Sequence, residues 1–295
     1  MQRILVPTDF STRSDRAVRR ASLLAKQYSA TLVLVHVVDD DQPAHLVEAR
    51  RQEATTLLSE LTASIGEMEG VNCQAVVGLG EAFEGVLQAA EDAHADLLVM
   101  GPPRRRILGD VFVGTTVERT IRAGSRAVLM AGGLPAGRYR HVLVAVDFSD
   151  TSATAFRAAR TLGFLEGVRV SAMHGFDAPA QGMLLSASTT TAEFKAYLAQ
   201  SKARASGKLE TFLGEAGLRP DHRVLRLVEG TPAAAILAAA RVEKADLVVI
   251  GTHGFGGVAR LLLGSVAEGV LRAAEIDVLA VPPTVRALLG DAEGG

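Results

Sequence analysis

The chain has 295 residues, enough for two ordinary domains or one large one. Hydrophobic residues make up 48% and charged residues 22%, and the formal net charge is −2, so no global field draws the protein to nucleic acid or to an anionic membrane. Trp is absent and aromatic content is 4%, which argues against base-stacking platforms; a single cysteine, Cys73, excludes an intrachain disulfide and fits a reducing compartment.

Arg3-Ile4-Leu5-Val6 reads as a strand at once, with no leader-type apolar region before it. No apolar run approaches the ~20 residues that span a bilayer, so the expected location is the cytoplasm. Residues 3–8 form the first strand, and a helix from Ser14 to Tyr28 places Ala17, Ala21, Leu24 and Ala25 on one face. Thr31 to Val38 is a continuous apolar strand, as expected of one buried on both faces. Pro43 opens a helix to about Ile65. Then come a strand over 72–78, a helix over Glu81–Ala93, a strand over 96–100, a helix over 115–123 and a strand over 127–131. Gly132 to Gly137 is a linker rich in turn formers.

The whole pattern then recurs. Leu5 to Ser11 returns as Leu143 to Ser149, an offset of 138, and His36 returns as His174. Later the offset is 150, matching Gly101 with Gly251, Gly114 with Gly264, and Glu118 with Glu268. The second copy therefore carries 12 extra residues, which fall near the Ser/Thr-rich stretch from Gln181 to Thr191. That stretch reads as a surface loop, with a lid over a ligand as the sharper alternative. The second copy has strands over 141–146, 168–174, 222–228, 246–250 and 277–281, and helices over 152–165, 191–216, 232–243 and 265–274. Five strands alternating with four helices predict, twice over, a doubly wound, mostly parallel α/β sheet. The domains are placed at 1–134 and 141–283, with a linker at 135–140 and a flexible tail at 284–295.

The chemistry concentrates in the second copy. A buried strand ends in Ile250-Gly251-Thr252-His253-Gly254, and nine residues later Gly264-Ser265-Val266-Ala267-Glu268 opens a helix. Glycines let backbone N–H groups approach an anion, and a helix start offers unpaired N–H groups and the positive end of the macrodipole. The spacing is neither a P-loop nor a Rossmann fingerprint. Ser265-x-x-Glu268 reads as a capping box, so Glu268 is expected to be structural. Asp147 ends a strand at the same edge, where it could accept from a ribose hydroxyl or an amino group, or cap the next turn. His253 and Arg260 could reach a phosphate or face solvent. His36 and His174 read as packing histidines bonded to backbone, and no Cys/His/Asp spacing supports a metal site.

Strands ending in Asp9-Phe10-Ser11 and Asp147-Phe148-Ser149, the histidine closing each second strand, and Gly-x-x-Gly-x9-Gly-Ser resemble the universal stress protein family in its tandem form. The resemblance covers nearly the whole chain twice. It implies a five-stranded fold per copy and an ATP-binding site, with ADP or AMP as related ligands and Mg²⁺ arriving through the phosphates. On this chain it places Asp147 near the adenosine end, Gly175 at the adenine slot, and Gly251, Gly254, Gly264 and Ser265 at the ribose and phosphates; Ala145, Val146, Ile250, His253, Arg260 and Val266 complete the candidate site. It also implies association through last strands, here Ala127–Ala131 with Asp277–Val281 inside one chain, and leaves a homodimer open.

Copy one departs from the motif: Arg104 stands where Gly254 stands, within Gly101-Pro102-Pro103-Arg104-Arg105-Arg106. Two prolines lack N–H donors and arginine adds bulk, so copy one is expected to have lost nucleotide binding; direct anion binding by the arginines is the rival. The expected function is an adenine-nucleotide-binding regulator of stress responses with at most weak hydrolysis, since the motif shows no general base, P-loop lysine or magnesium carboxylate. A ligand-free scaffold and a nucleotide-dependent enzyme of a related fold are the alternatives.

Overall fold

A computed structural model describes residues 1–103, 115–177, 191–228, 230–253 and 263–285. The lid candidate at 181–190, the arginines at 104–106, and Gly254 and Arg260 lie outside the described residues. The first half runs β1 (Arg3–Pro7), α1 (Thr12–Tyr28), β2 (Thr31–Val38), α2 (Ala44–Glu69), β3 (Cys73–Leu79), α3 (Ala82–Asp92), β4 (Leu97–Met100), α4 (Thr116–Ala123) and β5 (Ala127–Met130). The second runs β6 (His141–Ala145), α5 (Asp150–Thr161), β7 (Arg169–Phe176), α6 (Thr191–Glu215), β8 (His222–Leu227), α7 (Pro232–Glu243), β9 (Leu247–Gly251), α8 (Ser265–Ala273) and β10 (Asp277–Val281). Elements agree with the sequence reading in kind and order; the ends shift by a few residues. Helix α1 starts earlier because Ser11 caps it, its hydroxyl taking the Ser14 N–H. Helix α5 stops at Thr161, short of 165, because Gly163 takes φ 87° and turns the chain.

Strands within each half are parallel, in the order β3-β2-β1-β4-β5 and its counterpart β8-β7-β6-β9-β10. Apolar runs such as Leu32–Val35 and Leu247–Ile250 are buried on both faces. One face is packed by α1, α2, α5 and α6 through Ala21, Leu24, Leu58, Phe156 and Leu209. The other is packed by α3, α4, α7 and α8 through Val86, Ile121, Ile236 and Val270.

The halves merge into one ten-stranded sheet because β5 and β10 pair antiparallel, Leu129 opposite Leu279. Those two residues are equivalent in the repeat, so the pseudo-twofold axis passes between them. A buried polar knot fastens the junction. The carboxylate of Asp277, fully buried, accepts from the Gly133 N–H at 2.8 Å and from the Tyr139 hydroxyl at 2.5 Å. The Arg20 Nε lies 2.6 Å from the same carboxylate, an ion pair rather than an aligned hydrogen bond, and Arg20 also donates to the Gly137 carbonyl and covers the Tyr139 ring. Helix α1 of one half is thereby tied to the linker and to the last strand of the other.

Removing one member of such a group strands the remaining charge without water. Asp277→Ala should lower unfolding free energy by about 3–5 kcal/mol in urea titration. Burial, and then the neighbouring Asp277 carboxylate, hold the Tyr139 hydroxyl well above its ordinary 10.0. Its contribution is complete below pH 10.0 and fades as pH rises toward the folded-state value. Tyr139→Phe should therefore flatten the alkaline end of a stability–pH curve.

Candidate functional site

In each half the chain leaves β1 or β6 toward one side of the sheet and returns on the other, so a crevice opens beyond the carboxyl ends of the strands. In the second half it is a cleft of about 370 Å³. Strand β6 brings Ala145, Val146 and Asp147; β7 brings Gly175; β9 brings Ile250, Gly251 and His253; and α8 brings Gly264, Ser265 and Val266. Ten of the twelve site residues read from the sequence thus share one cleft wall. Asp177, Val228, Pro232 and Ile236 line it as well. Pro232 and Ile236 stand one helical turn apart on α7, a spacing that could have pointed to them.

The local devices are the same in both halves. Asp147 accepts from the N–H and hydroxyl of Ser149, at 3.0 and 2.5 Å, which closes an Asx turn. Ser149, not Asp147, caps α5. Asp9 does the same with Ser11. The turn drives the next residue to positive φ, 55° at Phe10 and 67° at Phe148, unusual for an aromatic residue. Each phenyl ring then lies against a histidine, Phe148 at 4.1 Å from His174 and Phe10 at 4.7 Å from His36. The histidines donate from Nδ1 to the carbonyls of Val146 and Thr8, both at 2.8 Å; a carbonyl only accepts, which fixes the tautomer. Burial pushes the His174 imidazole below its ordinary value, against the opposing pull of the Val146 carbonyl and of Asp147 and Asp177.

Helix α8 departs from the sequence expectation. Its N-cap is Gly264, and no side chain caps it. Ser265 is the first helical residue, so the capping box with Glu268 does not form; the Glu268 N–H bonds the Gly264 carbonyl, and its carboxylate lies 3.9 Å from Arg272. The frame slips because the Gly264 N–H is held by the Thr252 carbonyl at 2.8 Å, which fixes Gly264 as the extended residue before the helix. The N–H groups of Ser265, Val266 and Ala267 have no acceptor among the described residues, and all three residues line the cleft.

The first half keeps a cleft, about 580 Å³, lined by Asp9, His36, Gly101 and Thr115 among others. It lacks one backbone donor, since Pro103 stands where the second half has His253. Thr115 caps α4, and its hydroxyl takes the Glu118 N–H. Burial raises the Asp9 carboxyl, but bonds from Ser11 and Ser14 and the Arg13 charge outweigh it and hold it below the usual range. Arg13, where the second half has Thr151, reaches Asp9 Oδ2 at 3.4 Å. Of the two prolines, only one sits where an N–H is free in the second half: the Thr252 N–H is spent on the Val281 carbonyl at 3.0 Å. Pro102 instead ends the ladder early, since β4 and β5 stop at Met100–Met130 whereas β9 and β10 reach Gly251–Val281.

Gly251 and Gly101 also have a packing role that the spacing did not reveal. A Cβ on Gly101 would lie 2.5 Å from the Arg13 carbonyl oxygen, and one on Gly251 would lie 2.8 Å from the Thr151 methyl. Glycine lets these strand ends rest on the first turns of α1 and α5.

These features define a tandem pair of doubly wound α/β units. The universal stress protein family model matches residues 1–131 and again 138–282. A universal stress protein of Mycolicibacterium smegmatis is 28% identical over 300 residues, covering 95% of this chain and 97% of the relative. One from Thermus aquaticus is 34% identical over 143 residues, covering 48% of this chain and 98% of the relative. The crystal structure of a universal stress protein from Archaeoglobus fulgidus has a TM-score of 0.68 at 19% identity, covering 95% of this chain and 98% of that one, which supports the fold. The chain belongs to the universal stress protein family, in its tandem two-domain form. Among the described residues no helix is long and apolar enough to cross a membrane.

Two outcomes test this anatomy. Gly101→Ala should destabilise more than Gly251→Ala, within a range of about 1–3 kcal/mol, because the first meets the Arg13 backbone at 2.5 Å, whereas the second meets the Thr151 side chain at 2.8 Å and its backbone only at 3.2 Å; thermal unfolding ranks them. The NMR titration midpoint of His174 should fall below the ordinary 6.5. A depressed histidine favours the folded state above that value, so its contribution should be lost as pH falls through the folded midpoint.

Proposed function

We propose that the second half binds an adenine nucleotide and that occupancy of its cleft regulates the protein's association with partners during stress. The observation that carries this reading is the start of α8, where no side chain caps the helix and three amides without an acceptor among the described residues belong to residues lining a cleft that also holds Asp147. Amides at the positive end of a helix suit phosphates. The Asp147 carboxylate, turned by Ser149, suits a ribose diol or an exocyclic amine. ATP, ADP or AMP would satisfy this chemistry, with Mg²⁺ carried by the phosphates. His253 stands on the cleft wall, its Nδ1 3.0 Å from the Thr252 hydroxyl. The motif carries no P-loop lysine, which supports slow hydrolysis at most.

The first half is proposed to take no nucleotide. Space is not what it lacks; donors are. Pro103 has no N–H where His253 has one, and Arg13 already engages Asp9.

Saturating nucleotide at about 100 times Kd should stabilise the protein by ~2.7 kcal/mol, seen as a thermal shift, and calorimetry should give one site per chain. Ser265→Pro keeps the helix, since proline suits a first helical position, but deletes one amide. It should weaken binding by roughly 10- to 100-fold while leaving the unliganded melting temperature close to that of the parent. No shift with any adenylate would favour a ligand-free scaffold, and two equal sites would overturn the asymmetry.

A further inference from the structure

The ten-stranded sheet has two ends, and they differ in chemistry. Strand β8 closes one end with Arg223 and Arg226, charges of the kind that discourage pairing with another strand. Strand β3 closes the other with Cys73-Gln74-Ala75-Val76-Val77-Gly78-Leu79, seven residues without a charge or a proline. Val76 is 36% and Leu79 48% exposed.

The backbone of β3 shows what is left unpaired. At one end the Leu32 N–H bonds the Asn72 carbonyl, and at the other the Gly80 N–H bonds the Val38 carbonyl. In a parallel ladder alternate residues turn toward the neighbour, so Gln74, Val76 and Gly78 bond to β2. Cys73, Ala75, Val77 and Leu79 present their N–H and C=O groups outward, and none has a backbone partner among the described residues.

We infer that β3 is a self-association edge, pairing antiparallel with β3 of a second copy about a twofold axis at Val76. That register sets Ala75 opposite Val77 of the partner subunit and Cys73 opposite Leu79 of the partner subunit. Both are pairs of outward-turned residues, so every free N–H and C=O of the four finds its mate. Val76 meets its own copy as a non-hydrogen-bonded pair, where side chains approach most closely. No charge faces a charge, and the contact is isologous, which closes at two copies. A second copy fits better than an unrelated peptide, because the strand complements itself in backbone parity and in side chains at once. The edge lies five strands from the β5–β10 junction, so it does not compete with the pairing inside the chain.

The test uses the full chain. In a Cys73→Ala background, Val76→Cys places a single thiol on the axis. Mild oxidation should yield a disulfide-linked dimer, and dilution below the association range should suppress it. Sedimentation of the parent at micromolar concentration should give two chains per particle. Val76→Lys puts like charges opposite each other on an exposed site and should sediment as one chain with an unchanged far-ultraviolet spectrum and melting temperature when both are measured as monomers. A parent that stays monomeric would overturn the inference, as would a dimer that survives Val76→Lys and leaves the Val76→Cys chain uncrosslinked. Capture of a foreign extended peptide by a monomeric parent would also overturn it, in favour of a different occupant.

Discussion

Everything in this fold hangs on the antiparallel meeting of β5 and β10. A single five-stranded unit would leave that edge open to water, with a row of unpaired backbone groups. Duplication closes it from inside. The register centres on Leu129 and Leu279, and the buried Asp277 carboxylate ties the strand to Arg20, Tyr139 and the linker. Such a buried charge is weak evidence of net stability, since burying it is costly, but it leaves few alternative ways to dock the halves. Parallel strands on either side then inherit fixed positions, and with them the crevices at their carboxyl ends.

The two crevices show how a duplicated site can diverge without changing shape. The Asx turn, the positive-φ phenylalanine and the histidine beneath it are the same in both. What differs is the supply of donors. Pro103 lacks the N–H that His253 carries, whereas the first amides of α4 and of α8 are alike in having no acceptor among the described residues. Arg13 engages Asp9, while Thr151 puts no charge there and Asp147 bonds Ser149. Hydrogen-bond accounting separates the halves better than cavity size, which runs the other way.

Most of the fold was legible in the sequence because the repeat reads the same pattern twice. Apolar runs such as Leu32–Val35 and Leu247–Ile250 named buried strands, and turn formers separated them. The residues gathered at the second cleft were named by the glycine motif and by the resemblance to the universal stress protein family, and they lie where open α/β sheets bind, beyond their strand ends. The capping box at Ser265 misled because Ser-x-x-Glu fits two frames, and only the bond from Gly264 to the Thr252 carbonyl selects between them. The packing role of Gly101 and Gly251 was hidden because it depends on α1 and α5, far away in sequence. For the same reason nothing in the spacing singled out Asp277 as the centre of a polar knot: its partners come from a helix and from the segment joining the halves, each more than a hundred residues away in sequence.

The head-to-head joining of the halves fixes how the molecule meets its surroundings. Because β5 and β10 run in opposite directions, the carboxyl ends of the first five strands point one way and those of the second five the other. The two mouths therefore look out from opposite rims of a single slab. Whatever covers one rim leaves the other open, and the two crevices are separated by the full width of the strands rather than sharing one face.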